Sequence, residues 1–416
     1  LLVSSKDITQ QIAMQEQIKA QKEFVQTLLD SQEQLIITTD GKVLNSVNHS
    51  FLAFFDVHSI HEFKRQYHVN CICELFSPDA PQEYLRAQME GLKWIDYVIE
   101  HPHRTHKAMI VLEGKKCIFS VTATQLPSDD AHLIMSAVFT DITELEEAKQ
   151  SIEVIHKHTQ SSIEYASLIQ HAIIPPDHLF GKYFKDFFTI WQPKEIVGGD
   201  IYLFEELRHD EECLMMLIDC TGHGVSGAFV TMLVKAIEGQ IGTMIASDRD
   251  MEVSPAWVLA YANQLMKKLL KQEDNNSISN AGFDGAVLYY NKQQSIIKFA
   301  GARTPLYYLD AEHQYQQIKG SRHSAGYKRS DINYAFQEHT IPITEGMKFY
   351  LTTDGYLDQN GGEKGLPFGK QRFQELIERI EHEPFAKQQK RLIETIVEYQ
   401  GERERNDDIT VIGFEI

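Results

Sequence analysis

Four short acidic motifs stand far apart in the chain. They are Val197-Gly198-Gly199-Asp200, Ile218-Asp219-Cys220-Thr221-Gly222-His223-Gly224, Thr352-Thr353-Asp354-Gly355 and Asn406-Asp407-Asp408-Ile409-Thr410. The last three adjoin apolar runs of strand character, MMLID, KFYLTTDG and DITVIGFEI, and Asp200 sits between Ile196-Val197 and Ile201-Tyr202. A strand holds its side chains in fixed directions, so an aspartate at a strand end can be aimed into a shared pocket. Four carboxylates gathered in one place repel one another and call for a cation. Hard oxygen donors suit Mg2+ or Mn2+. Two such ions lower the pKa of a shared water and clamp the oxygens of an in-line phosphoryl displacement. No thiol nucleophile is then required, and none of the five cysteines lies in a Cys-x5-Arg phosphate cradle.

The glycines around Asp219 belong to the same chemistry. Gly222, Gly224 and Gly227 let backbone approach an ion or a phosphate closely. A helix expected over roughly residues 227–243 would favour an anion near its N-terminus. Gly198-Gly199-Asp200 also matches the Gly-Gly-Asp of cyclic-dinucleotide synthases. Those enzymes carry a second metal-binding aspartate and substrate contacts upstream of it. Here the upstream segment is FFTIWQPKE, and the other acids lie downstream.

In this order the four motifs resemble the metal-dependent PPM-type serine/threonine phosphatases. Within that group they look like the bacterial branch of the sporulation stage II E phosphatase and the sigma-factor regulatory phosphatases. The resemblance covers about residues 181–416. Phe299-Ala300-Gly301-Ala302-Arg303-Thr304-Pro305 resembles the branch's Ala-Gly-His-x-Pro segment, and Pro367-Phe368-Gly369 its Phe-Gly turn. The resemblance implies an α+β fold, a central β-sandwich with helices on both outer faces, and two Mn2+ or Mg2+ ions. It implies that Asp219 bridges both ions with the Cys220 carbonyl as a further ligand, and that Asp200 and Asp354 hold one ion or the other. Asp407 aligns with the last family ligand in preference to Asp408. The implied substrate is a phosphorylated protein, of the STAS-type anti-sigma antagonist class or a related signalling switch.

Several residues keep two readings. Ala302 stands where the branch has histidine, and Arg303 after it is given no catalytic task. Lys194 could meet a substrate phosphate or simply be solvated. His223 could assist as a general acid or only shape its glycine-rich turn. Each aspartate taken singly also fits a turn or a helix cap.

Upstream of these motifs the chain must supply whatever controls them. Val3–Thr9 and Ala137–Thr143 both read as short strands ending in Asp-Ile-Thr and leading into polar helices, where Asp and Thr suit an N-cap. This exit resembles that of PAS sensor domains, and the intervening segment agrees. Leu35–Val43 reads as strand, Asp-Gly turn, strand, and Asn48 opens a short apolar helix over Phe51–Phe55. Further strands are expected over Lys107–Leu112, Lys116–Gln125 and His132–Thr140. His101, His103 and His106 read as incidental loop residues more readily than as metal ligands.

From Glu144 a helix is expected to run to about Ile174, where Pro175-Pro176 stops it. Leu145, Ala148, Ile152, Ile155, Thr159, Ser162, Ala166, Ile169 and Ile173 alternate at three and four residues, the period of a coiled-coil seam. That seam suggests a homodimer, with Thr159 and Ser162 weakening its middle. A lone amphipathic helix is the alternative. The expected order is a signalling helix over 1–27, a PAS-like domain over 28–143, a coiled-coil linker over 144–180 and a phosphatase domain over 181–416.

Composition sets outer limits. The 416 residues carry 59 acidic and 40 basic side chains, a formal charge of -19, which speaks against nucleic acid as the main partner. An odd number of cysteines without a regular framework reads as reduced thiols in a cytoplasmic protein. No signal peptide and no apolar run near the roughly 18–20 residues of a bilayer span is visible. The abrupt start, LLVSSKDITQQ, reads as a piece of something longer and leaves room for a membrane anchor upstream. Two other functions fit the same outline: a catalytically silent interaction module, and a PAS-coupled kinase or cyclase. Retention of all four acidic motifs argues against the first, and the absence of a kinase motif pair against the second.

Overall fold

A computed structural model describes residues 2–127, 134–248, 250–273 and 277–416. The chain packs as two units, Leu1–Lys157 and His158–Ile416.

The first unit opens with α1 (Leu2–Asp30). The strand expected over Val3–Thr9 is therefore helical. No described strand pairs with this segment, and a helix satisfies its backbone internally. There follow β1 (Leu35–Thr39), β2 (Leu44–Val47), α2 (His49–Phe54), α3 (Ile60–Tyr67), the two-residue pair β3 (Gln88–Met89) and β4 (Leu92–Lys93), and α4 (Trp94–Glu100). β5 (His106–Leu112), β6 (Lys115–Leu126) and β7 (Ile134–Asp141) complete an antiparallel sheet of order β2-β1-β7-β6-β5. Residues 132 and 133 of the last expected strand lie outside the described residues. Phe51, Phe55, Phe63, Trp94, Phe119 and Phe139 fill the core. Asn48 caps α2 as its type suggests: its Oδ1 accepts from the Phe51 and Ile36 N–H groups, and its Nδ2 donates to the Leu29 and Gln34 carbonyls. The ring nitrogens of His101 and His106 pair with backbone carbonyls.

Asp141 and Thr143 do what Asp-Ile-Thr suggests before a helix. The Asp141 carboxylate accepts from the Thr143 N–H at 2.9 Å, opening α5 (Thr143–Ala172), and Lys107 holds Glu146 of the first turn at 2.7 Å. Leu145, Ala148, Ile152, Ile155, Thr159, Ser162 and Ile169 of the expected seam are exposed in the single chain. Ile173 lies beyond the helix and packs into the core of the second unit.

In the second unit α6 (Asp177–Tyr183) leads to β8 (Asp186–Gln192), β9 (Asp200–Glu206), β10 (Glu212–Cys220), α7 (Gly224–Ser247) and α8 (Pro255–Leu269). Then come β11 (Phe283–Asn291), β12 (Ile296–Ala302), β13 (Leu306–Leu309), β14 (Tyr315–Ile318), β15 (Glu338–Pro342), β16 (Lys348–Thr352), α9 (Asp354–Asp358), the pair β17 (Asn360–Gly361) and β18 (Leu366–Pro367), α10 (Gly369–Ile380), α11 (Phe385–Gln400) and β19 (Ile409–Glu415). Two antiparallel five-stranded sheets result, β15-β12-β11-β10-β9 and β14-β13-β16-β19-β8. Both faces of each are buried, so the central strands read as continuous apolar runs. Met215, Leu217, Leu288, Phe299, Phe349, Leu351 and Phe414 form the layer between the sheets. Val234, Ile237, Val258 and Met266 of α7 and α8 cover the outer face of the first, and Phe373, Leu376, Leu392 and Ile396 of α10 and α11 that of the second. This is the helix-flanked sandwich expected for residues 181–416. The unit begins earlier, since Phe180 is buried in its core. Among the described residues α7 is long and apolar enough to cross a membrane, contrary to the sequence reading, but Val230, Val234, Ile237, Ile241 and Ile245 on one face pack into this core, while Val225 and Phe229 stay exposed.

Candidate active site

Strand alternation decides where the aspartates point. On β10, Leu214, Met216 and Ile218 pack under the helices while Met215 and Leu217 enter the inter-sheet layer, which places Asp219 on the inter-sheet side. On β9, Tyr202 and Phe204 face the same layer, and Asp200 shares their side. Asp200 lies directly opposite Asp219 in the β9–β10 register. From the other sheet, Ile412 and Phe414 point inward and so does Thr410. Asp200 is buried, and its Oδ2 accepts from the hydroxyls of Thr353 and Thr410, each at 2.7 Å. One carboxylate thus ties the two sheets together at one mouth of the sandwich. Asp354 follows Thr353 at the start of α9.

The cluster is electrically strained. Burial pushes the Asp200 carboxyl up to about 8, against the pull of the two threonine hydroxyls and with a further push from Asp408 and Asp354. Burial first, then Asp200, Asp354, Asp407 and Asp284 in turn, hold Asp219 well above the usual carboxylate range. Asp354 is raised by burial and then by Asp358 and Asp407. Every strong electrical neighbour of Asp219 is an acid. Oxygen-only donors crowded in this way fit a hard divalent cation. No three of the described aspartates bring one oxygen each within 4.8 Å of one another; His313, Glu381 and His382 do so elsewhere, around exposed imidazoles. Donors shared between two ions are spread more widely than those of a single closed shell.

Asp407 and Asp408 have different tasks. The Asp408 carboxylate accepts the Lys194 N–H on Oδ1 and the Gly199 N–H on Oδ2, both at 2.6 Å, and is buried. It is consumed in shaping the loop before Asp200. Asp407 is half-buried, with its charge felt by Asp219 and Asp354.

The glycines are demanded by close approach. A Cβ on Gly199 would overlap the Gly222 carbonyl and lie 2.9 Å from that of Cys220; one on Gly227 would strike the same Gly222 carbonyl. The Gly-Gly-Asp strand entry, the turn after Asp219 and the start of α7 are thus pressed together, which the cyclase reading of these three letters does not require. The Cys220 thiol is buried under the helices, and burial pushes it far up. His223 Nδ1 sits 2.6 Å from Glu195 Oε1, both exposed at the mouth, and Lys194 is half-buried nearby in sequence. Ala302 is buried on the helix side of its sheet, away from the cluster.

Two residues escaped the sequence reading. Asp284 lies opposite Asp219 in the β10–β11 register, and Arg303 stands 3.6 Å from it. Inward parity on β11, shared with Ala286 and Leu288, is the signal that could have found it. Gln170, near the end of α5, is buried and bonds both backbone groups of Gly198. It carries no local motif.

Residues 209–416, half of the chain, match the family model of Stage II sporulation protein E (SpoIIE). The SiaA-PP2C domain of Pseudomonas aeruginosa is 33% identical, with a TM-score of 0.54 over 63% of this chain and 98% of that domain. The RsbU and RsbW domains of a Mycobacterium tuberculosis protein match at 17% identity and a TM-score of 0.43, over 55% of this chain and 59% of that one. The PP2C phosphatase domain and regulatory-domain fragment of SpoIIE from Bacillus subtilis match at 12% and 0.42, over 74% and 77%. A comparison with curated protein sequences gives no match. The inward carboxylates, the sandwich that aims them, the family-model match over half of the chain and the likeness to the SiaA-PP2C domain agree: the chain belongs to the SpoIIE family, and it is a serine/threonine phosphatase of the PP2C type.

Proposed function

We propose that the phosphatase acts through two divalent cations, Mn2+ or Mg2+, held by Asp200, Asp219, Asp354, Asp407 and the Cys220 carbonyl. The carrying observation is the convergence of buried, mutually repelling carboxylates from both sheets at one mouth of the sandwich. The chemistry such ions supply when bound is activation of a water and neutralisation of phosphoryl oxygens. The chain's own residues supply position. Thr353 and Thr410 fix one oxygen of Asp200, Asp408 fixes the loop before it, and glycine packing sets the turn after Asp219.

The substrate in this reading is a phosphoprotein of the STAS-type antagonist class, in line with the family resemblance. The first unit is a PAS-type sensor: its five-stranded antiparallel sheet with short helices and its Asp-Ile-Thr exit support this. The apolar stripe exposed along α5 supports a homodimer joined through that helix. Gln170 then gives the helix a grip on the strand that carries Asp200. The protein works in the cytoplasm, whether or not a longer parent chain is anchored upstream.

The test is hydrolysis of p-nitrophenyl phosphate with Mn2+, with Mg2+ and with EDTA, beside Asp219→Asn. Activity that needs metal and is lost in the variant supports the reading. Activity that survives EDTA or the substitution overturns it.

A further inference from the structure

The chain carries far more acid than base, yet one side of the active-site mouth is basic. A cavity of about 690 Å³ is lined by Arg303, Lys319, Arg322 and Lys370 together with Pro305, Gln317, Gly320 and Ser321, with no acid among the described lining residues. A second, of about 460 Å³, shares Arg303 and Arg322, adds Arg329 and His323, and is also free of acids. Lys319, Arg322, Arg329 and Lys370 are exposed, and among the described residues none makes an ion pair or a side-chain hydrogen bond. A basic face is often no more than a solubilising surface, but a chain of charge -19 has no need of one.

Backbone pairing fixes the distance from this wall to the reacting centre. Asp219 pairs with Asp284, Gly285 bridges to Arg303, and Ala302 bridges to Ser321. Arg303 adopts a left-handed conformation (φ 61°), its N–H bonds the Ser321 carbonyl at 2.8 Å, and the Ser321 N–H bonds Gly301 at 2.7 Å. The loop bearing Lys319 and Arg322 is thus stitched to the strand edge. Three interstrand steps separate it from Asp219, about 14 Å. An extended peptide covers that distance in about four residues.

We propose that this basic cleft docks an acidic stretch of the phosphoprotein substrate, about three to five residues from the phosphorylated side chain. The proposal rests on the phosphatase reading and adds its substrate class. Carboxylates placed there meet Lys319, Arg322, Arg329 and Lys370, which are unpaired among the described residues, beside Arg303, whose own partner is Asp284 at 3.6 Å, while the phosphoryl group reaches the aspartate mouth. The attraction acts through partly exposed charge, so it weakens as salt rises.

The test uses the whole chain and two phosphoserine peptides of one sequence, with Glu or Gln at the third to fifth positions on both sides. The wild type is expected to prefer the acidic peptide by about tenfold in kcat/KM, as a few exposed charge pairs allow. The double variant Lys319→Glu, Arg322→Glu is expected to lose or invert that preference while its p-nitrophenyl phosphate rate stays unchanged. Equal rates for both peptides in the wild type, or a preference that survives in the variant, would overturn the proposal. Should the wild type hydrolyse neither peptides nor p-nitrophenyl phosphate, the phosphatase reading falls. Fluorescence anisotropy with the labelled acidic peptide still decides the cleft: binding lost in the variant supports it, and no binding overturns it. Tighter binding of a single-stranded oligonucleotide than of the acidic peptide also overturns it.

Discussion

Gln170 holds Gly198 by both sides of its backbone. Its Nε2 donates to the Gly198 carbonyl at 2.7 Å, and its Oε1 accepts from the Gly198 N–H at 3.1 Å. Gly198 stands two residues before Asp200, so a shift or rotation of the last turns of α5 is felt by the strand that presents the carboxylate. Replacing Gln170 by Ala leaves two buried backbone groups without partners, about 1–3 kcal/mol of stability. Misplacing Asp200 by an ångström lowers turnover by up to about a hundredfold. We expect Gln170→Ala to melt a few degrees lower and to lose most of its p-nitrophenyl phosphate activity. Undiminished activity would mean that this grip does not position the site.

Asp407 and Asp408 are neighbours with separable roles. Asp408→Asn exchanges one acceptor oxygen for a donor opposite the Lys194 or Gly199 N–H. It should lower the melting temperature whether or not metal is present. Asp407→Asn leaves those bonds intact and should raise the Mn2+ concentration needed for half-maximal rate, with little change in metal-free melting. Thermal unfolding with and without Mn2+ separates the two, and the reverse pattern would exchange the assignments.

The raised carboxyls give the metal-free protein a definite pH dependence. Asp200, pushed up to about 8, and Asp219, held well above the usual range, keep protons in the native state that the unfolded chain loses from about pH 4 upward. The native state therefore binds more protons over that window, and stability falls as pH rises from about 4 to about 8. A divalent cation replaces those protons and should reverse the trend towards pH 8. Melting curves in EDTA and in Mn2+ across this range check both signs. A metal-free curve that rises with pH contradicts the charge-crowded cluster.

Gly199→Ala adds one methyl group where the Gly222 carbonyl already fills the space. Either the β9 entry or the turn after Asp219 must move. We expect activity to fall by at least about a hundredfold, with a folded circular dichroism spectrum retained. Gly239→Ala, where a Cβ meets nothing within 4 Å, serves as the neutral control. Equal activity in both variants would show that the close approach is not required.

The sandwich and four of its acids were legible because each motif is local: an aspartate, its glycines and an apolar run share one stretch of chain. The preference for Asp407 over Asp408 rests on the family resemblance, while the structure shows only that Asp408 is taken up by the Lys194 and Gly199 N–H groups. Asp284 was missed because a lone aspartate inside FDGAVLYYN acquires meaning only through its register with Asp219. Gln170 was missed because its partner is backbone 28 residues away. The basic wall draws on residues from Arg303 to Lys370, and no window of sequence contains it. Val3–Thr9 misled for the opposite reason. Its likeness to Ala137–Thr143 is real, but among the described residues only the second stretch pairs with strands.

The most direct test of the two-ion aspartate site is calorimetric titration of the metal-free protein with Mn2+, set beside Asp219→Asn. We expect two ions per chain, with protons released on binding, and loss of that binding in the variant while its fold is retained. Absence of Mn2+ binding by the wild type, or binding undiminished in Asp219→Asn, would contradict it.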